Sequence, residues 1–148
     1  PPPVGVDLIF FDGEDFGAGQ EWDDYFLGSK AWLRDHPDYR PEWGVVLDMV
    51  GDADLRILKE KNSLLSAPAI VERVWNAAGR VRSEAIADER GGLVHDDHTV
   101  FLEKGIPVIL LIDFRYQWFH TTADTPDKCS ARSLGEVGRA VMEAVEAP

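Results

Sequence analysis

The stretch "DDHTVFLEKGIPVILLI", residues 96–112, decides the fold. It opens on two acids, passes through an apolar-periodic segment to Gly105, and beyond Pro107 becomes continuously apolar. The spacing predicts a short helix over 98–104, closed by Gly105, because glycine enters the left-handed conformation without steric cost. A strand over 107–112 should follow, since a run that is apolar at every position suits a strand covered on both faces. Two more runs of this kind, Val6–Phe11 and Val45–Val50, predict strands as well. Between and after them lie helical periods. One spans Asp23–Asp35, with Tyr25, Phe26, Ala31, Trp32 and Leu33 apolar and Gly28 weakening it. Another spans Ala67–Val81, with Ile70, Val71, Val74, Trp75 and Ala78 on one face. The last opens at Ser133, where Ser133 and Glu136 have the spacing of a capping box, and repeats Leu134, Val137, Val141, Met142 and Val145. Strands alternating with helices predict an α/β fold with a largely parallel, mixed sheet flanked by helices on both faces.

The chain has 148 residues, the size of one domain, enough to bury roughly 70% of its unfolded surface. Hydrophobic residues at 45% against 28% charged place it among soluble globular chains. A formal net charge of −12 argues against nucleic acid phosphates and anionic membrane surfaces as partners. No apolar run reaches the roughly 18 residues of a membrane span. The single cysteine, Cys129, excludes an internal disulfide and reads as a structural or surface thiol rather than a nucleophile. Pro1-Pro2-Pro3 leads directly into the first predicted strand and reads as a linker cut from something longer.

In folds of this class ligands gather beyond the carboxyl ends of the strands. The first predicted strand ends in Asp12-Gly13-Glu14-Asp15, and the second contains Asp48 near its end. A loop after the third leads to Phe119-His120-Thr121-Thr122-Ala123-Asp124. Catalytic zinc takes about three ligands from His, Asp and Glu, and Asp15 and His120 are of those types. Glu14 would then stay free to act as a general base and afterwards as an acid, because consecutive residues leaving a strand point in different directions. His120 needs an orienting partner, which Asp124 or a backbone carbonyl could supply. Each element also has a plainer reading. Gly13-Glu14-Asp15 alone is a solvated turn, and His120 alone a surface histidine. His95-Asp96-Asp97-His98 is a helix N-terminus with Asp97 as the N-cap.

The ordered set "FFDGEDFG", "LGSKAWL", "VVLDMVGD", "DDHTVFLEKGIPVILLI" and "FHTTADTPDKCS" resembles the zinc aminopeptidase family that also contains the glutaminyl cyclases. The resemblance implies Glu14 as the catalytic acid/base, with Asp15 and His120 as zinc ligands. Asp48 matches an aspartate that binds a second metal in the aminopeptidases and joins a hydrogen-bond network in the cyclases. Asp96 matches the first aspartate of the cyclases' Asp-Asp-His motif, where aminopeptidases commonly carry serine. That favours a cyclase, with Asp96 as a second catalytic residue. Trp22 and Phe119 would line the substrate pocket, with Phe119 replacing a tryptophan often found before the zinc histidine.

The resemblance further implies that residues 1–148 are the C-terminal portion of one zinc-peptidase-like domain. A third zinc ligand and the first strands would then lie in an N-terminal half. The expected activity of the whole is conversion of N-terminal Gln to pyroglutamate with release of ammonia, using one zinc ion. One alternative is a metal-dependent aminopeptidase with one or two ions, and another is a non-catalytic remnant that binds a partner. Expected partners are peptide N-termini as substrate, together with the missing half or a second copy. The setting implied by the resemblance is secreted or periplasmic. The chain alone should be catalytically silent. Asp15, Asp48, Asp96 and His120 are expected to cluster at one rim of a sheet holding all three predicted strands.

Overall fold

The computed structural model describes residues 4–17 and 22–147, so the proline run at 1–3 lies outside the described residues. Helix α1 spans Leu27–Asp35 and strand β1 Gly44–Leu47. Strand β2 (Ile57–Lys59), helix α2 (Lys61–Ser66) and helix α3 (Pro68–Arg80) follow, then strand β3 (Ile86–Arg90). Helix α4 (Asp97–Glu103), strand β4 (Val108–Leu111) and helix α5 (Ala131–Glu146) complete the order.

β1 and β4 pair in parallel, with Val45 opposite Ile109 and Val46 opposite Leu110. Every residue of β4 is buried, as its unbroken apolar sequence requires. Alternation along β4 divides the core. Ile109 and Leu111 face Val71, Val74, Ala77 and Ala78 of α3 and Val137, Ala140 and Ala144 of α5. Val108 packs on the other side with Leu33 of α1 and Val100 and Phe101 of α4. Helices therefore cover both faces, as expected. Burying each valine, leucine, isoleucine or phenylalanine of this core stabilises the fold by roughly 1.5–3 kcal/mol.

The first predicted strand is a correction. Residues 6–11 form no ladder, and among the described residues no backbone–backbone hydrogen bond joins them to another segment. Val4, Val6, Leu8 and Phe10 are exposed on alternate positions, while Phe11 packs against Phe101 with ring centroids 5.8 Å apart. An apolar run becomes a strand only beside a partner that takes up its N–H and C=O groups. The three predicted strands thus do not share one sheet.

Conversely, β2 and β3 form a parallel pair that the apolar pattern did not indicate. Their charged residues are accommodated by ion pairs at the surface, Lys59 with Asp88 and Arg56 with Glu89. Two helix starts are also corrected. α5 begins under Ser130, whose Oγ accepts from Arg132 N, and not at a Ser133 box. Glu136 instead accepts from Glu84 N at 2.9 Å and Ala85 N at 3.0 Å, tying α5 to the start of β3. Its buried stripe is consequently Ser133, Glu136, Val137, Ala140 and Ala144, and Leu134 and Met142 are exposed. At α4 the N-cap is Asp96, whose carboxylate accepts from Asp97 N, so Asp97 is the first helical residue.

Candidate active site

Three separate elements bring acids to one place. Segment 12–14 is held by the start of α1, whose first N–H groups have no partner within the helix. Phe26 N donates to Glu14 O at 2.9 Å, Leu27 N to Gly13 O at 3.2 Å, and Gly28 N to Asp12 O at 2.8 Å. This explains the glycine that weakened the helix: a Cβ at Gly28 would stand 2.5 Å from Asp12 N and O. Gly13 itself needs its φ of +65° for the turn. Asp48 leaves β1 with its N–H donating to Leu111 O at 3.1 Å, extending the β1–β4 ladder to the cleft. Asp96 arrives as the N-cap of α4.

These groups line a cleft of about 160 Å³, together with Met49, Val94, His95, Phe114, Phe119, His120 and Asp124. Glu14, Asp15, Asp48, Asp96 and His120 all contribute to its wall. His120 Nε2 lies 3.1 Å from Asp15 Oδ2. The imidazole plane is fixed by Phe119, stacked on it at 3.8 Å between centroids. Asp124 Oδ1 accepts from the Tyr116 hydroxyl at 2.6 Å, and among the described residues no hydrogen bond joins Asp124 to His120. Trp22 is not part of the cleft wall as such; it stands against His95 with centroids 4.7 Å apart. Met49 and His120, both non-glycine, hold φ of 49° and 54°, sparsely populated values that occur here at the cleft.

Crowded carboxyls in a half-buried cleft resist ionisation. Burial, then the charges of Asp15 and Asp48, push Glu14 up to about 7. Burial and the Asp48 charge push Asp96 up to about 8, although the Asp97 N–H opposes this. Burial also raises Asp48 and Asp97. Such a cluster favours either shared protons or a cation.

Asp15 and His120 match zinc in donor type and lie on one edge of the cleft. Among the described residues no group of three His, Cys, Asp or Glu side chains is arranged to hold a metal ion. Two donors of a type zinc accepts, Asp15 and His120, thus meet at 3.1 Å, short of the three that a catalytic zinc site takes.

Two buried acids, Glu60 and Asp113, escaped sequence reasoning. Glu60 is 2% exposed and caps α2, accepting from Asn62 N at 2.8 Å and Ser63 N at 2.7 Å. Its only sequence signal is the following Asn-Ser pair, which resembles many surface turns. Asp113 was likewise unread, although it stands two residues beyond the end of β4. It is buried and accepts from Arg56 N at 2.7 Å and Arg115 N at 3.0 Å, securing the base of the loop to His120.

Comparison with known proteins matches residues 1–145 to peptidase family M28. A leucine aminopeptidase precursor from Bacteroides thetaiotaomicron superposes with a TM-score of 0.91 at 32% identity, covering 99% of this chain and 55% of that one. A glutaminyl cyclase from Fimbriiglobus ruber gives 0.90 at 36% identity, covering 99% and 54%. A Bacteroides thetaiotaomicron glutaminyl cyclase bound to N-acetylhistamine gives 0.90 at 32%, covering 99% and 56%. The chain spans about half the length of the solved structures it matches.

Proposed function

We propose, on the premise that this chain belongs to peptidase family M28, that it carries the acid/base side of a glutaminyl cyclase-like active site. The observation that carries this reading is the placement of Asp96. It is a buried carboxyl at the N-cap of α4, on the same cleft wall as Glu14 and the Asp15–His120 edge. The reaction closes a ring: the α-amine of an N-terminal glutamine bonds to its own side-chain carbonyl carbon, and the amide C–N bond breaks to release ammonia. Glu14 takes the proton that the amine loses and returns it to the departing nitrogen. Asp96, held by its contact with Asp97 N, steadies the nitrogen during that transfer. Asp15 and His120 would hold zinc, and Asp48 would either join the carboxyl network or serve a second ion. When bound, the ion supplies Lewis-acid polarisation of the carbonyl under attack. Phe119 would flank the substrate side chain on the cleft wall, and Trp22 would act from behind His95, against which it packs.

A second reading has its own support, since one of the similar structures is named a leucine aminopeptidase precursor. Incubating the full-length protein with a Gln-initiated peptide separates the two. Ammonia released with chain length unchanged supports the cyclase, whereas a freed N-terminal amino acid supports the peptidase. Neither product would leave a non-catalytic binding role.

The exposed apolar stripe Val4, Val6, Leu8 and Phe10 favours a docking partner in the remainder of the family domain, which the matched structures contain beyond the aligned half. Strand addition along 4–10 would supply the absent ladder and cover those side chains. Phe10→Lys should impair assembly with that segment, measured as loss of co-purification. Full retention would refute the docking. A secreted or periplasmic setting remains part of this proposal through the family resemblance alone.

A further inference from the structure

His98 and Glu60 are almost entirely out of solvent, at 0% and 2% exposure, and neither lines the cleft. His98 Nε2 lies 3.3 Å from Glu60 Oε2, a close polar contact without hydrogen-bond geometry, and among the described residues neither imidazole nitrogen has a hydrogen-bond partner. The carboxylate is otherwise saturated with donors. Oε1 accepts from Asn62 N at 2.8 Å and from Val94 N at 3.0 Å. Oε2 accepts from Ser63 N at 2.7 Å and Ser63 Oγ at 2.8 Å. Ser63 Oγ in turn accepts from Leu110 N at 3.0 Å, in the middle of β4. Lys61 N donates to Gly92 O at 2.9 Å, adding a backbone tie next to the same carboxylate.

One side chain thus joins four parts of the fold: α2, the 92–94 segment, α4 and β4. The parts have a common consequence. Val94, His95 and Asp96 are consecutive and all line the cleft. Glu60 meets this short run at both ends, by a hydrogen bond at Val94 N and by close contact with the buried His98 just beyond Asp96. The Asp96 carboxylate accepts from Asp97 N at 2.5 Å, so its direction follows the backbone of the turn that His98 anchors.

Packing alone does not call for such an arrangement. A buried charge with its partners is often no more stabilising than apolar residues of equal volume, while its hydrogen bonds are directional. Directionality matters where a reacting group must be placed to within a fraction of an ångström.

We propose that the buried Glu60–His98 pair is a positioning device for the reaction, setting the first turn of α4 and thereby the orientation of Asp96 in the cleft. Both act through Asp96 and neither touches substrate. The inference rests on the reading of Asp96 as a working group of the site.

The test is a double-mutant cycle in the full-length protein, with cyclisation of a Gln-initiated peptide as readout. His98→Leu should lower kcat about 10-fold or more and leave KM within about 2-fold, since a misaimed Asp96 affects the transition state more than binding. His98→Gln, which can present an N–H where Nε2 stands, should restore most of the rate. In an Asp96→Asn background the His98 substitution should cost nothing further, because the group it aims is already lost. The same rate factor in both backgrounds, or a rise in KM that accounts for the loss, overturns the proposal. If His98→Leu does not fold, Glu60→Gln takes its place in the cycle with the same two outcomes. If the wild-type protein turns over no Gln peptide, the functional reading fails, and amide hydrogen exchange decides the positioning claim. Faster exchange at Val94 and Asp97 in Glu60→Gln, with α3 unchanged, supports it; unchanged exchange at both sites overturns it.

Discussion

Replacing Glu60 by Gln should uncover a pH-dependent stability that belongs to one buried carboxylate. Burial by itself would raise this carboxyl. The His98 imidazole and the N–H groups of Asn62, Ser63 and Val94 outweigh it, holding the group down at about 2 against an ordinary 4.5. At about 1.4 kcal/mol per pH unit, a difference of that size is worth about 3 kcal/mol to the folded state. The sign follows from the depression. The contribution is fully present above pH 4.5, the unfolded value, and disappears as pH falls through about 2, the folded value. Gln keeps the length and one acceptor but cannot ionise, so it lacks this term at every pH. Its misplaced amide donors add a roughly constant cost of about 1 kcal/mol. Urea melts of wild type and Glu60→Gln from pH 7 to pH 3 measure the gap directly, and effects of the other carboxyls cancel in the comparison. Linkage predicts a gap that narrows by about 2 kcal/mol over that range. A gap that stays constant with pH would show that Glu60 contributes through shape alone, and the ionic account would be wrong.

Further outcomes follow from the cleft and the core. Glu14→Gln in the full-length protein should cut turnover by about 10² or more while metal content is retained, because Gln preserves shape but cannot carry a proton. Wild-type turnover would remove Glu14 from the mechanism. Asp15→Ala should lose bound zinc and activity together, as read by metal analysis beside the peptide assay; retained zinc would exclude it as a ligand. The 148-residue chain alone should bind zinc weakly by isothermal titration, since two donors give little chelation. Tight stoichiometric binding would require a further ligand here, Asp48 first. Ile109→Ala, at a position with 0% exposure between α3 and α5, should cost about 2–5 kcal/mol in chemical denaturation.

The features legible from sequence are those whose cause is local. Val108–Leu111 is apolar at every position, and a segment of that kind can only be a strand with cover on both faces. The period of α3 and the glycine after α4 follow from helix geometry and from the φ of +73° at Gly105. The types of residue in the cleft were also readable: Glu14, Asp15, Asp48 and His120 all line it, although only Asp48 directly follows a strand, and segment 12–14 is placed by the start of α1 instead. Tertiary structure decided what depends on a distant partner. Residues 6–11 have the composition of a strand but no ladder beside them among the described residues, whereas "IADER" at 86–90 is a strand because Ile57 and Lys59 lie alongside it. Asp96 rather than Asp97 caps α4 because the turn from Val94 sets which carboxylate meets the free N–H. Glu60 shows the limit most directly. Its sequence neighbours make it a surface turn residue, and only the approach of Val94, His98 and Ser63 from separate elements makes it a buried, ionised hub. A hydrogen bond between remote segments leaves no periodicity in either, so the fold has to bring them together before the chemistry exists.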